Sequence, residues 1–189
     1  MNTPARRPAL LTGRLELVPA SVELTRAALD GAAALSSALG VQVPASWPPE
    51  HVDPPVLEFT LRRLVDFPLE AGWWLHFIVL ADNAPGPLLI GTAGYKGAPS
   101  PDGTVEIGYS IVPDHRRRGY ASEATRALVR RAFDEPSVRR VTAETLPELT
   151  PSIGVLLKCG FRLEGEGSEP GVIRYQLTRD DFRGGTVAG

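Results

Sequence analysis

A mixed α/β domain, with a central, mostly antiparallel sheet of six to seven strands and helices on both faces, is what this sequence predicts, from three observations. Between residues 73 and 112, apolar residues recur with period two in segments divided by turn residues, the pattern of a strand meander. Residues 116–121 then join the last of these segments to an amphipathic helix that is itself followed by a strand, and such a crossover requires two parallel strands. Finally, 189 residues at 43% hydrophobic content suffice for one buried core and are too few for two. The domain is therefore placed at residues 10–180, between a flexible start at 1–9 and a disordered tail at 181–189.

Each element has its own signal. Residues 10–18 alternate around Leu15 and Leu17 and read as a first strand. Ser21 is a good helix cap with Leu24, Ala27 and Ala28 behind it, and a second short helix over 32–39 stops at Gly40. Residues 41–55, rich in proline around Ser46-Trp47-Pro48-Pro49, form a loop, and Val56, Leu57, Phe59, Leu61, Leu64 and Val65 are spaced as on one amphipathic helix. Strands follow at 73–80, 88–96 and 104–112, then a helix ending before Pro136 and a strand at 139–145. A short helix starts at Thr150-Pro151, with Thr150 as its cap, and stops at Gly160. A hairpin of 161–166 and 172–177 closes the sheet.

The loop Arg116-Arg117-Arg118-Gly119-Tyr120-Ala121 carries the most chemistry. It precedes a helix whose Ala121, Ala124, Leu128, Val129 and Ala132 share one face. The first N–H groups of a helix lack intrahelical partners and carry the positive end of its dipole, so an anion there gains hydrogen bonds and charge stabilisation together. Gly119 has no Cβ to hold a ligand away. A phosphate is the ligand this chemistry suits.

This loop resembles motif A of the GNAT superfamily of N-acetyltransferases, a pattern of Gln or Arg, then Gly, then Gly or Ala, filled here by Arg116, Gly119 and Ala121. Downstream, Ser152, Leu156, Lys158, Gly160 and Phe161 resemble motif B of the ribosomal-protein N-acetyltransferase-like branch, with Leu149 where the usual asparagine stands. The resemblance implies acetyl-coenzyme A (acetyl-CoA) as cosubstrate, its pyrophosphate held by Arg116, Arg117, Arg118, Gly119, Tyr120, Ala121 and Ser122. It implies two parallel strands that splay so that the pantetheine arm pairs with Ile111 and Val112, the Val112 N–H donating to the thioester carbonyl oxygen. Glu106, on the face opposite Val105 and Ile107, becomes the candidate base or anchor for the acceptor amine, with Glu166 and Glu169 as second choices. The tyrosine that many relatives use to protonate the leaving thiolate is Leu156 here, and Ser152 matches a serine proposed for that task; Ser152 also binds cofactor in this reading. Trp47 and His76, with Trp73 and Trp74, are candidates to line the acceptor site.

The activity implied is acetyl transfer to a primary amine, a small molecule or a protein N-terminus, by direct attack in a ternary complex. A module that binds acyl-CoA without turnover is the alternative, favoured by Leu149 and Leu156. A net charge of −2 gives no general attraction to nucleic acid or to an anionic membrane. The three histidines lie far apart, with no spaced Cys/His pairs, so no metal is expected. The single cysteine, Cys159, reads as a helix-end core residue. No stretch reads as a signal peptide or membrane span, which makes the cytoplasm the expected location and a monomer or homodimer the expected form.

Overall fold

Period-two alternation resolves into an eight-stranded sheet ordered β1-β2-β3-β4-β5-β6-β8-β7. The computed structural model describes residues 8–184. Its strands are β1 (Leu10–Leu11), β2 (Leu15–Pro19), β3 (Leu75–Leu80), β4 (Leu88–Tyr95), β5 (Thr104–Ile111), β6 (Arg140–Thr145), β7 (Arg162–Glu166) and β8 (Ile173–Thr178). Every neighbouring pair is antiparallel except β5 and β6, the pair that the crossover demanded. The expected strand at 10–18 is two strands, which brings the total to eight. Thr12 breaks it: its N–H donates to the Leu15 carbonyl and its hydroxyl accepts from the Leu15 N–H, closing a tight turn at 12–14.

The helices are α1 (Val22–Asp30), α2 (Ala32–Leu39), α3 (Pro54–Asp66), α4 (Tyr120–Asp134), α5 (Thr150–Lys158) and α6 (Arg179–Gly184). Ser21 caps α1 by accepting from the Leu24 N–H, and Asp53 caps α3 by accepting from the Val56 N–H. Gly40 ends α2 in the left-handed conformation, where a Cβ would be strained. Thr150 is the first residue of α5 and not its cap; Leu149 takes that place without a side-chain bond. Residues 181–184, assigned to a disordered tail, belong to α6, while 1–7 and 185–189 lie outside the described residues.

Two cores flank the sheet. On one side Val18, Phe77, Val79 and Leu89 pack with Leu24, Leu35, Leu57 and Leu64 of α1, α2 and α3. On the other, Ile78, Ile90, Val105, Ile107, Val141 and Leu177 pack with Ala124, Leu128 and Ala132 of α4 and Leu156 of α5. On β5 and β6 the residues Val105, Ile107, Ile111, Val141 and Ala143 are buried toward the second core, whereas on the opposite face of β5 Glu106, Gly108 and Ser110 stay accessible. A Cβ added at Gly108 would meet nothing within 4 Å. The sheet thus offers one uncovered half-face, and the candidate site lies around it.

Candidate active site

The turn between β5 and α4 leaves a series of backbone donors unused. After the 3-10 turn Pro113–His115, whose end takes the Arg116 N–H onto the Pro113 carbonyl, the chain passes through Arg117 at φ 60° and Gly119 at φ 83° before entering α4. The first helical bond is Glu123 N–H to the Gly119 carbonyl. The N–H groups of residues 117–122 have no acceptor among the described residues, and α4 has no side-chain cap. Left-handed backbone is unfavourable for an arginine, so Arg117 adopts it only because its surroundings impose it. A helix start stripped of internal acceptors is suited to an anion that supplies them.

The side chains of the three arginines are placed differently from one another. Arg116 donates from Nε to the Ile111 carbonyl at 2.8 Å and from Nη2 to Glu50 at 3.1 Å, tying the end of β5 to the proline-rich loop. Arg117 and Arg118 are exposed. Tyr120 is buried, Ala121 half-buried, and Ser122 buried with its carbonyl accepting from the Cys159 thiol. Burial pushes that thiol up to about 11, so Cys159 is a core residue and not a nucleophile.

Next to this turn the parallel strands part. The β5–β6 ladder pairs Thr104, Val105 and Glu106 with Arg140, Val141 and Thr142 and goes no further, although both strands continue. Antiparallel strands alternate their hydrogen-bonding edges. Lys96 N–H donates to the Glu106 carbonyl and Val112 N–H to the Ile90 carbonyl, so Glu106, Gly108, Ser110 and Val112 bond toward β4. Tyr109 and Ile111 therefore turn their N–H groups toward the gap. Val112 is thus corrected: its N–H, at 2.9 Å from Ile90 O, is already satisfied and is no donor to a thioester carbonyl. Ile111 keeps its place with Tyr109 beside it, and β5 needs no bulge against β4 to expose them.

Across the gap stands the first turn of α5. The Tyr109 hydroxyl lies 3.1 Å from the Ser152 carbonyl, to which it donates, and 3.2 Å from the Ser152 hydroxyl. Burial pushes the Tyr109 phenol up to about 12 against the opposing effect of the Ser152 bond, which keeps it protonated and a donor. Leu156 is fully buried in the core.

On the uncovered face, Glu106 opens onto a cavity of about 400 Å³ lined by Lys96, Asp102, Glu106, Arg140, Glu164 and Arg174 among others. Each cation there has a carboxylate partner. Lys96 pairs with Glu106, Arg140 with Asp102 at 2.6 Å and Arg174 with Glu144 at 2.7 Å. Glu166 and Glu169 are exposed and do not line this cavity, whereas Glu164 does. Trp47 packs on Phe77 with ring centroids 6.2 Å apart, and Phe77, Thr92 and Ser110 form a row across β3, β4 and β5 on the same face as Glu106. Trp47 is thus on the same face of the sheet as Glu106.

His76 is not. Its cross-strand partner is Ala93, whose own partner is Tyr109, so it points into the opposite core. It is 2% exposed, its ring 6.2 Å from that of Tyr95, and its Nδ1 is 3.0 Å from the Trp74 carbonyl. Trp73, stacked under Arg131 at 3.8 Å, and Trp74, against Phe59, are core residues too.

Residues 23–162 match the family model described as an acetyltransferase (GNAT) domain. The chain is 30% identical over 160 residues, 85% of its length and 93% of the other's, to the uncharacterized N-acetyltransferase YjdG of Bacillus subtilis (strain 168). With the uncharacterized N-acetyltransferase p20 of Bacillus licheniformis it shares 38% identity over 77 residues, 41% of this chain and 43% of that relative. Among solved structures it is similar to the ribosomal-protein acetyltransferase RimL in complex with coenzyme A, with a TM-score of 0.60 at 19% identity over 92% of this chain and 99% of that one. It is also similar to the microcin self-immunity acetyltransferase MccE in complex with acetyl-CoA and AMP, with a TM-score of 0.61 at 16% identity over 88% and 93%. No helix among the described residues is long and apolar enough to cross a membrane.

Proposed function

The chain belongs to the GNAT acetyltransferase family, and on that premise we propose that it transfers an acetyl group from acetyl-CoA to a primary amine, either a small molecule or a peptide N-terminus. The single observation that carries this reading is the continuous set of backbone N–H groups at 117–122 without acceptors among the described residues, set beside the parted edge of β5. Acetyl-CoA supplies the activated acetyl thioester. Its diphosphate suits the N–H groups of the turn, and its amide-bearing arm suits the backbone of Tyr109 and Ile111.

The acceptor amine approaches from the other face. An amine attacks only when neutral, so it must lose a proton, and Glu106 is the group proposed to hold the ammonium and then accept that proton directly or through water. The Lys96 ammonium resting on this carboxylate supports its proposed role as a cation anchor. Ser152 is proposed to donate a proton to the sulfur as the thiolate departs, with the Tyr109 hydroxyl fixing its position. Trp47 forms part of the acceptor wall. Complexes of relatives with coenzyme A and acetyl-CoA support the choice of cofactor.

A panel of small amines and N-terminal peptides, read by release of the coenzyme A thiol, tests the proposal. Turnover with at least one class is the expected result. Tight acetyl-CoA binding with no thiol release across the panel would replace it with the binding-module reading.

A further inference from the structure

We infer that Arg14 is a positioning residue for the diphosphate of acetyl-CoA, an inference that rests on the phosphate-binding role proposed for the turn before α4. Arg14 sits in the tight turn between β1 and β2, far from that turn in sequence, yet its guanidinium is spent on it. Nε and Nη2 donate to Glu123 Oε2 at 2.7 and 2.6 Å, Nη1 donates to the Arg118 carbonyl at 3.1 Å, and the group lies 4.5 Å from the centroid of the Tyr120 ring. Nη2 also stands 3.4 Å from where a Cβ on Gly119 would be.

Two consequences follow from this geometry. The peptide unit is planar and trans, so the N–H of Gly119 points opposite to the carbonyl of Arg118. By holding that carbonyl, Arg14 fixes the direction in which the Gly119 N–H is presented. Glu123, in the first turn of α4, would otherwise place a bare carboxylate beside an anion site. Its Oε1 accepts from the Thr12 hydroxyl at 2.6 Å and the Arg14 N–H at 2.9 Å, while Oε2 takes the guanidinium. Burial works to raise the Glu123 carboxyl, but these donors outweigh it and hold the group below its ordinary value. The carboxylate thus serves as the clamp for Arg14 and is neutralised by it. Arg14 is half exposed, so as an ion pair it adds little to folding. Its effect belongs to the ligand.

The test compares two thioesters, acetyl-CoA and acetyl-pantetheine, which share the reactive arm but differ in the diphosphate and nucleotide. Dissociation constants for both, together with kcat at saturating cosubstrate and the melting temperature, are measured for wild type, Arg14→Ala and Arg14→Lys. Arg14→Ala is expected to weaken acetyl-CoA binding about tenfold or more, the worth of one well-oriented hydrogen bond to a charged group, with acetyl-pantetheine affinity and kcat unchanged. Arg14→Lys recovers only part of the loss, because one ammonium cannot span both the Glu123 carboxylate and the Arg118 carbonyl as a planar fork does. A wild type that prefers acetyl-CoA beside an Arg14→Ala variant of equal affinity overturns the role of Arg14 alone, as does an equal loss for both thioesters. A wild type that binds the two equally removes the phosphate-binding turn itself, and Arg14 with it. Should Arg14→Ala fail to fold, wild-type acetyl-CoA affinity in Arg14→Lys overturns the inference.

Discussion

Replacing His76 with Gln should remove most of the acid sensitivity of the fold between pH 8 and pH 5. The Trp74 carbonyl only accepts, so the Nδ1 beside it carries the ring proton and Nε2 is bare. Burial pushes the imidazole from 6.5 down to about 4, helped by the Arg131 charge and opposed by the Trp74 bond. Since the folded value lies below the unfolded one, the unfolded chain binds the proton first: stability from this residue is complete above about pH 6.5 and declines as pH falls toward 4. At pH 5 the unfolded imidazole is almost wholly charged and the folded one almost wholly neutral, a difference of about 2 kcal/mol. That is a large share of the 5–15 kcal/mol typical of a domain. Urea unfolding of wild type and His76→Gln at pH 8 and pH 5 reads it directly. His115, also lowered by burial and by Arg118, is present in both proteins and cancels. Asp102, Glu123 and Glu144 sit below their ordinary values, so what they contribute is lost only at pH values under the carboxylate range. Equal losses of stability in the two proteins between pH 8 and pH 5 would refute the argument.

Three further outcomes are expected. Gly119→Ala forces a Cβ into left-handed backbone at a strain of about 1–2 kcal/mol; acetyl-CoA affinity should fall further than urea stability does, and an unchanged dissociation constant would count against the anion site. Glu106→Gln should lower kcat with acetyl-CoA affinity kept, while Lys96→Met, which frees the Glu106 carboxylate, should lower the KM for the amine by about two- to fivefold, the range of an exposed ion pair; steady-state kinetics with no change in either variant would remove Glu106 from the site. Tyr109→Phe deletes the hydroxyl that holds Ser152 and should cost about 1 kcal/mol of stability together with a drop in kcat, and a variant of full activity would show that Ser152 needs no such support.

What was legible in the sequence was whatever a local pattern encodes. The turn before α4, the parallel β5–β6 pair and the face carrying Glu106 all follow from period and order. His76 was misplaced because β3 is buried on both faces except at Leu75, so its sequence has no polar phase to tell one side from the other. Val112 was misassigned for a different reason. Alternation announces where a side chain points, but the edge toward which an N–H points depends on pairing with β4, and only the register of Gly91 against Ile111 decides it. The split of residues 10–18 was hidden because Thr12 and Gly13 interrupt a run whose flanks keep their alternation. Arg14, in that same turn, finds Glu123 only through tertiary folding, and no spacing rule could have joined them.

The arrangement also explains how one strand could serve both substrates proposed for it. Along β5 the side chains of Val105, Ile107 and Ile111 enter the α4 core and hold the strand rigid, whereas Glu106 faces the open cavity. The backbone edge of Tyr109 and Ile111, perpendicular to both, faces the gap left by β6. The proposed cofactor edge and acceptor face are thus set on one strand through two independent directions, the hydrogen-bonding plane and the pleat. A one-residue slip of β5 against β4 would exchange both at once, burying Glu106 and turning the N–H groups of Tyr109 and Ile111 into the β4 ladder. Gly91 belongs to that register: a Cβ there would stand 2.2 Å from the Ser110 carbonyl oxygen, so β4 lies this close to β5 only with glycine at 91. A residue remote from the proposed chemistry therefore bears on whether the open edge and Glu106 coexist on one strand.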